Sequence, residues 1–221
     1  MRYGAKQGLK GPPLPIRGLT MSQFFQRLLV LMASFLALAA LAQPAISVSP
    51  AEFDVVATRK AAEAGDPRKM GELGAALLVG VGVEKDEAEG IHWLEKAAVN
   101  DTQAALMLGM AKMAGQGTAK DPAGGVALIR KVADRGNAQA CTMLATIYLQ
   151  GLNVPQSDAA ALKWAYRAAY QRHAPGEYLV GMLVAVGKGT KADSAEGRKW
   201  LKRAAAQGHP EAIEVLKKLG G

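Results

Sequence analysis

Apolar residues recur along most of the chain three or four positions apart, which is the spacing of amphipathic helices. Leu73 and Leu77 lie on one face of such a segment, which runs from residue 67 to residue 79 and is followed by Gly80. Glycine is favoured where a helix ends in the left-handed conformation. Asp86 then begins a second segment, with a glutamate three residues later as in a capping box. The pattern therefore predicts two short helices joined by a glycine-containing loop.

This pair of helices is repeated every 35 or 36 residues. A column of large residues stands in the second helix, at Trp93, Leu128, Trp164 and Trp200. One column of small residues lies in the first helix, at Gly74, Gly109, Ala145 and Gly181, and another in the second, at Gly90, Gly125, Ala161 and Gly197. A glycine inside a helix costs about 0.5–1 kcal/mol relative to alanine, so these columns indicate helices that approach closely. We predict that the large residues fill the space between successive hairpins.

The turns between repeats follow the same register. One column is predicted to be left-handed and holds Gly65, Asn100, Gly136, Arg172 and Gly208. Arg172 is the exception in that column, since glycine and asparagine tolerate this conformation best. The next column is predicted to cap the following helix and holds Asp66, Asp101, Asn137, His173 and His209.

These registers predict an all-α fold of four helical hairpins, at residues 65–99, 100–135, 136–171 and 172–207. A half-repeat precedes them from residue 51, and a C-terminal cap occupies residues 208–221. Repeat arrays need such capping units for solubility, so we take residues 51–221 as one repeat domain.

The columns resemble the Sel-one-like repeat, a branch of the tetratricopeptide-like helical repeats. The family pattern is an alanine four residues before Leu-Gly, a tyrosine, a Gly-x-Gly loop, an acidic residue and a tryptophan followed by Lys-Ala-Ala. Residues 65–98 and 140–169 match it most fully, and Leu128 in place of tryptophan makes the second repeat depart from it. The resemblance covers about residues 55–219. It implies a right-handed superhelical solenoid that acts as an adaptor for other proteins.

The first 42 residues do not follow the repeat. Within residues 21–42, Arg27 precedes an unbroken small or apolar run from Leu28 to Ala42, which is typical of a secretory signal peptide. We predict cleavage between Ala42 and Gln43, and hence a periplasmic or secreted protein. The alternative is a membrane anchor, although this run is shorter than the roughly 20 residues of a spanning helix. Contact with a membrane is expected only through this segment, if it stays uncleaved.

Two short segments flank that leader. Residues 1–20 are basic and rich in proline and glycine, so we interpret Met21 as the start of translation, with a disordered extension as the alternative. Residues 43–50 are interpreted as a linker. The five basic residues before position 43 account for much of the net charge of +8, and the remainder carries +3. A nucleic-acid partner is therefore not expected.

The sequence contains no pattern typical of a catalytic, cofactor or metal site. His92, His173 and His209 show no HExxH or Cys/His spacing that would indicate zinc. Cys141, the one cysteine, lies in an apolar helical stretch and is interpreted as a buried, inert thiol. We accordingly expect no enzymatic activity and no cofactor.

Methionines supply the candidate binding residues. All six outside the leader fall on first helices, which line the concave surface in tetratricopeptide-like arrays, and methionine suits surfaces that accept varied apolar partners. Met107, Met110 and Met182 are expected to be partly exposed and to contact a protein or peptide, with core filling as the alternative. The predicted function is an exported interaction scaffold. An envelope hydrolase or a ligand-binding protein acting on cell-wall fragments is the second hypothesis.

Overall fold

The computed structural model describes residues 54–219, and this part of the chain contains ten helices and no strand. In chain order they are α1 (Val55–Glu63), α2 (Pro67–Val79), α3 (Glu87–Ala97), α4 (Thr102–Ala114), α5 (Pro122–Asp134), α6 (Ala138–Gln150), α7 (Asp158–Ala169), α8 (Ala174–Val186), α9 (Ser194–Ala206) and α10 (Pro210–Lys218). The all-α repeat fold is confirmed. The interpretations of residues 1–20, 21–42 and 43–50 lie outside the described residues. Between residues 54 and 219, no helix has both the length and the apolar character needed to cross a bilayer.

The helices pack as four consecutive hairpins, α2/α3, α4/α5, α6/α7 and α8/α9. Each second helix also packs on the first helix of the next hairpin, so α3 contacts α4, α5 contacts α6 and α7 contacts α8. The unpaired helices α1 and α10 close the two ends by packing on α2 and α9. The array is therefore a solenoid in which each unit is held by its neighbours.

Polar side chains begin most of the helices as the sequence predicts. The carboxylate of Asp86 accepts a hydrogen bond from the backbone amide of Glu89 at 2.9 Å, and Asp66, Asp101, Asp121, Asn137, Ser157 and Asp193 act in the same way. His173 and His209 stand at the N-cap positions of α8 and α10, yet neither side chain makes a capping hydrogen bond. The prediction that they cap these helices is wrong for their side chains, because both rings turn towards the preceding first helix instead.

The loops inside the hairpins start with a left-handed glycine in every repeat, at Gly80, Gly115, Gly151 and Gly187. Between hairpins, Arg172 adopts the left-handed conformation with φ of 59° despite its side chain. Asn100 does not have a positive φ, so that prediction is wrong. The backbone amides of Asn100 and Asp101 both donate to the carbonyl of Ala97, which closes this turn without a left-handed residue.

Glycines bring the two helices of a hairpin into backbone contact. A Cβ added at Gly109 would lie 3.0 Å from the carbonyl oxygen of Gly125, and one added at Gly125 would lie 2.4 Å from that of Gly109. Gly74 with Gly90 and Gly181 with Gly197 show the same reciprocal contact. The close approach predicted from the small-residue columns is confirmed. Because no side chain separates the backbones, these three hairpins are tightly joined units, whereas the third hairpin has Ala145 and Ala161 at the paired positions.

Tryptophans and alanines fill the boundaries between hairpins. Trp93, Trp164 and Trp200 are all buried, and Trp93 packs with Ala62 of α1 and Leu73 of α2. At another boundary, a Cβ at Gly176 would lie only 2.5 Å from the Cβ of Ala168. The predicted roles of the large and small columns are therefore confirmed, except that Leu128 is only half-buried.

Candidate interaction surface

The three methionines predicted to face a partner do not share one exposed surface. Met107 is 6% exposed and Met182 is 2% exposed, so the expectation that they are exposed is wrong, while Met110 is half-buried. The reason is that each of these first helices packs on the second helix of its own hairpin and on both helices of the preceding hairpin, and Met182 also packs with Ala212 and Val215 of α10. In α8 every residue from Gly176 to Ala185 is buried.

The first helices leave a narrow, half-buried strip. We use the term first-helix strip for Gln103, Met110, Gln139, Met143 and Gln150, which lie on α4 and α6. Two flexible thioethers among amide side chains give this strip a mixed apolar and polar character. These five residues are uncharged, although the half-buried Lys112 also lies on α4.

A cation lies over each tryptophan of the second helices. The Nζ atom of Lys96 is 4.7 Å from the ring centroid of Trp93, the Cζ atom of Arg167 is 4.7 Å from that of Trp164, and the Cζ atom of Arg203 is 4.3 Å from that of Trp200. Residues three apart on a helix are neighbours, which explains why a lysine or arginine follows each tryptophan at that spacing. Such cation–π pairs contribute about 0.5–1 kcal/mol at exposed sites.

An aromatic cluster joins α7 to α9. Tyr166 and Tyr170 stack with ring centroids 5.7 Å apart, and both rings meet the edge or face of Trp200 at 5.9 and 6.2 Å. Tyr170 is 73% exposed. Tyrosine, tryptophan and arginine are the residues most enriched at the energetic centres of protein interfaces.

Basic side chains dominate the outer side of three successive second helices. We use the term basic face for the exposed lysines and arginines of α5, α7, α9 and the residue after α5, namely Arg130, Lys131, Arg135, Lys163, Arg167, Lys199, Lys202 and Arg203. These three helices are fully described, and the acidic side chains on this side are the exposed Asp134 and the partly exposed Glu196, which lies 3.0 Å from the Nζ atom of Lys199. The carboxylate of Asp134 lies 3.4 Å from the Nη1 atom of Arg167. Sequence reasoning missed this face because it considered only the summed charge of the chain.

A shallow, open depression of about 700 Å³ lies on α5 within the basic face. Its apolar part is formed by Ala123, Val126 and Ala127, and its polar part by Arg130, Lys131, Asp134 and Arg135. Position 127 explains the depression, because the equivalent residues of the other repeats are the longer His92, Lys163 and Lys199. The second hairpin therefore has open space where the other hairpins have a longer side chain.

A buried carboxylate lies beneath the basic face. Glu177 on α8 is 1% exposed, and its two oxygens contact Arg203 at 2.7 Å and the amide nitrogen of Gln207 at 2.6 Å. At the other end of the array, Glu89 accepts hydrogen bonds from Arg59 at 2.5 Å and from the Trp93 indole at 3.1 Å. The hydrogen bond from Arg59, followed by that from Trp93, lowers the pKa of the Glu89 carboxyl. Both carboxylates are explained by cross-helix pairing.

The histidines of the turns and the cysteine are packed against neighbouring helices. His173 Nδ1 lies 3.0 Å from the hydroxyl of Thr142, and the His209 ring stacks on Tyr178 at 4.7 Å. Burial lowers the pKa of both histidines. Cys141 is fully buried, and burial raises the pKa of its thiol, so its interpretation as a buried thiol is confirmed. The depression on α5 contains none of these groups.

Among residues 54–219, no three histidine, cysteine, aspartate or glutamate side chains are grouped in a way that would hold a metal ion. The described part of the chain therefore offers binding surfaces rather than a convergent set of ligands. The first-helix strip and the basic face are the two surfaces that remain as candidates.

Comparison with known proteins gives a consistent result. The family model of the Sel1 repeat matches residues 70–98, 102–137, 138–173 and 174–209. Among solved structures, a Sel1 repeat protein from Oxalobacter formigenes is 30% identical with a TM-score of 0.65, over 75% of this chain and 48% of that one. The protective antigen c5321 of uropathogenic Escherichia coli strains, which displays an SLR fold, is 30% identical with a TM-score of 0.68, over 75% and 36%.

The immunity protein Pa5087 from Pseudomonas aeruginosa shares the fold, with 23% identity and a TM-score of 0.52 over 91% of this chain and 70% of that one. The chain spans less than half the length of the first two solved structures. None of the curated proteins compared with the chain matches it.

Proposed function

Because the chain belongs to the Sel1 repeat family, whose members generally mediate protein–protein interactions, we propose that it is an interaction scaffold for a protein or peptide partner. The supporting observation is the array itself. Four packed hairpins, three of them joined by backbone contact, present the same positions at regular intervals, which gives a partner an extended, preorganised surface. Preorganisation raises affinity because less conformational freedom is lost on binding.

The scaffold is proposed to act outside the cytoplasm, in a periplasmic or secreted location. The support is the sequence of residues 21–42, with its basic residue, apolar run and small-x-small ending. Mass spectrometry of the exported protein is expected to find an N-terminus at Gln43 or within a few residues of it. A mature protein that retains residues 28–42 would contradict this part of the proposal.

The scaffold function is tested by chemical crosslinking in intact cells that produce the full chain with a C-terminal tag, followed by purification under denaturing conditions and mass spectrometry. We expect one or a few proteins to be crosslinked to the parent and not to a Trp164→Ala variant. That variant loses a large buried aromatic, which usually costs about 3–5 kcal/mol. The proposal is overturned when the parent and the variant yield the same crosslinked proteins as the tag alone.

A further inference from the structure

The positive charge of the described chain is concentrated on one side of the solenoid. The eight cations of the basic face lie on second helices of the last three hairpins, whereas the same side of α3 carries His92, Glu95 and Lys96. Arg167, Lys199 and Arg203 are paired with Asp134, Glu196 and Glu177, whereas in the described part of the chain the other five cations have no acidic side chain within 4 Å, and like charges on a common face repel one another. A concentrated field of one sign instead attracts and orients a partner of opposite sign.

The face is continuous across hairpins. Asp134 and Arg167 connect α5 to α7, and the stacked Tyr166 and Tyr170 connect α7 to α9 through Trp200. A partner that extends along the array therefore meets cations, the half-buried Tyr166 with the exposed Tyr170, and cations again. This is the order of an interface with an energetic centre and a charged surround.

The depression on α5 adds an apolar element that simple attraction of anions does not require. Its alanine and valine floor lies beside Arg130 and Lys131. An aliphatic side chain fits such a floor, whereas a phosphate or a flat lipid surface has no group to place there. The combination of an apolar depression with a cationic rim favours a polypeptide.

We propose that the basic face binds an acidic segment of a partner protein, with an aliphatic side chain of that segment in the depression formed by Ala123, Val126 and Ala127. This inference rests on the proposed scaffold function and specifies its surface. It also locates binding on the second helices rather than on the first-helix strip.

The probe is a short fluorescein-labelled peptide of glutamate and serine with two central leucines, titrated with the full-length protein and followed by fluorescence anisotropy. Two matched peptides replace every glutamate by glutamine or both leucines by serine. We expect the parent peptide to bind most tightly, because each matched peptide lacks one of the two contributions. The double variant Arg130→Glu/Lys131→Glu is expected to weaken binding by about tenfold or more.

Ala127→Lys separates the depression from the general charge. The substitution adds a cation and fills the apolar floor, so binding governed by charge alone strengthens, whereas binding that uses the depression weakens by about fivefold or more. The matched control is Ala88→Lys, which adds the same charge at an exposed position of α3 outside the basic face. It is expected to change affinity by less than about twofold.

Circular dichroism melts confirm that each variant is folded, which is expected because all four positions are exposed. Vesicles rich in phosphatidylglycerol and a single-stranded DNA oligonucleotide serve as the other polyanions. The inference is overturned by equal binding of parent and double variant, by stronger binding of Ala127→Lys, by absence of peptide binding, or by tighter binding of vesicles or DNA. A crosslinked partner in cells together with any of these results leaves the scaffold function standing and removes only this surface.

Discussion

Arg203 on α9 reaches across to the carboxylate of Glu177 on α8, with 2.7 Å between Nη2 and Oε1, and the two partners differ greatly in exposure. Glu177 is buried, whereas the side chain of Arg203 is about half exposed and covers Trp200 with its guanidinium. The same column holds Met70, Ala105 and Cys141 in the other repeats. A charged group has therefore replaced an apolar one at a buried position of the fourth repeat, and Arg203 and Gln207 satisfy it.

This arrangement predicts that the two partners respond unequally to substitution. Arg203→Met leaves a buried carboxylate without its cation and is expected to lower the free energy of unfolding by about 3–5 kcal/mol. Glu177→Met leaves only a solvated guanidinium and is expected to stay within about 1.5 kcal/mol of the parent, since a buried pair often gives no more stability than apolar packing. Urea denaturation followed by circular dichroism measures both.

The control is Arg167→Met, which removes an equivalent cation from Trp164 but has only the exposed Asp134 as acidic partner. We expect it to cost about 1 kcal/mol or less. Equal losses for Arg203→Met and Arg167→Met would show that Glu177 does not depend on its cation.

Met182 and Met110 both lie on first helices, but their different burial predicts opposite effects of a lysine substitution on stability. Met182→Lys forces an ammonium group into a fully packed site, where an unpaired charge costs several kcal/mol, and is expected to abolish the cooperative thermal melt. Met110→Lys is expected to melt like the parent within a few degrees, because a half-buried side chain can extend its charge into water. A cooperative melt of the Met182→Lys variant at the parent temperature contradicts the packing described for α8.

The close approach inside the hairpins gives a further contrast between two glycines. A Cβ at Gly125 would lie 2.5 Å from the side chain of Met113 as well as against the Gly109 carbonyl, so Gly125→Ala is expected to destabilise by about 1–3 kcal/mol. Gly71→Ala is the matched substitution, because its Cβ would have no neighbour closer than 3.4 Å. There the gain in helix propensity is expected to stabilise by about 0.5–1 kcal/mol. Chemical denaturation gives both values, and a loss at both positions would contradict the distinction.

The buried histidines predict a loss of stability in mildly acidic solution. The pKa values of His173 and His209 in the folded chain lie below the ordinary 6.5, chiefly because of burial. At pH values between the folded pKa and 6.5, the unfolded chain therefore binds more protons than the folded chain. Stability is then complete above about pH 6.5 and falls as the pH decreases towards the folded pKa. Denaturant titrations at about pH 7.5, 6.5, 5.5 and 5.0 are expected to show this fall in the free energy of unfolding.

The double variant His173→Asn/His209→Asn tests whether the two histidines cause the pH dependence of stability. Asparagine is chosen because Asn137 already caps α6. The double variant is expected to flatten the dependence between neutral pH and about pH 5, and its new capping bonds favour the helices by about 1 kcal/mol each. Glu89, whose pKa is lowered from an ordinary 4.5, contributes only in more acidic solution. A fall in stability of the same size in the double variant would assign the effect to other groups.

The helices and their packing were predictable because the signals are local and repeated. The bounds 67–79 of α2 follow from Asp66, Pro67 and Gly80, whose conformational preferences act over a few residues. Exposure of the methionines was not predictable from their spacing, since it depends on how many helices surround each one. One signal was available in α8, which is apolar on all sides except at Glu177 and is therefore expected to be enclosed.

The basic face was missed for a different reason. A net charge sums over the whole chain and contains no information about direction, whereas Lys199, Lys202 and Arg203 share the exposed side of one helix. The depression could not be found from any single position either. It depends on Ala127 being smaller than its equivalents in three other repeats, which becomes visible only when the columns are aligned and placed on the outer side of the fold.

The reciprocal contacts between glycines have a consequence for how such arrays diverge. The paired positions are always 16 residues apart, as at 74 and 90 or 181 and 197, and each faces the carbonyl of the other. Substitution of one glycine of a pair by alanine is unfavourable unless the opposite backbone moves away. We therefore expect the two positions to vary together. The third hairpin has alanine at both positions, Ala145 and Ala161. Related arrays should accordingly show correlated substitution at this interval, even where little other sequence is shared.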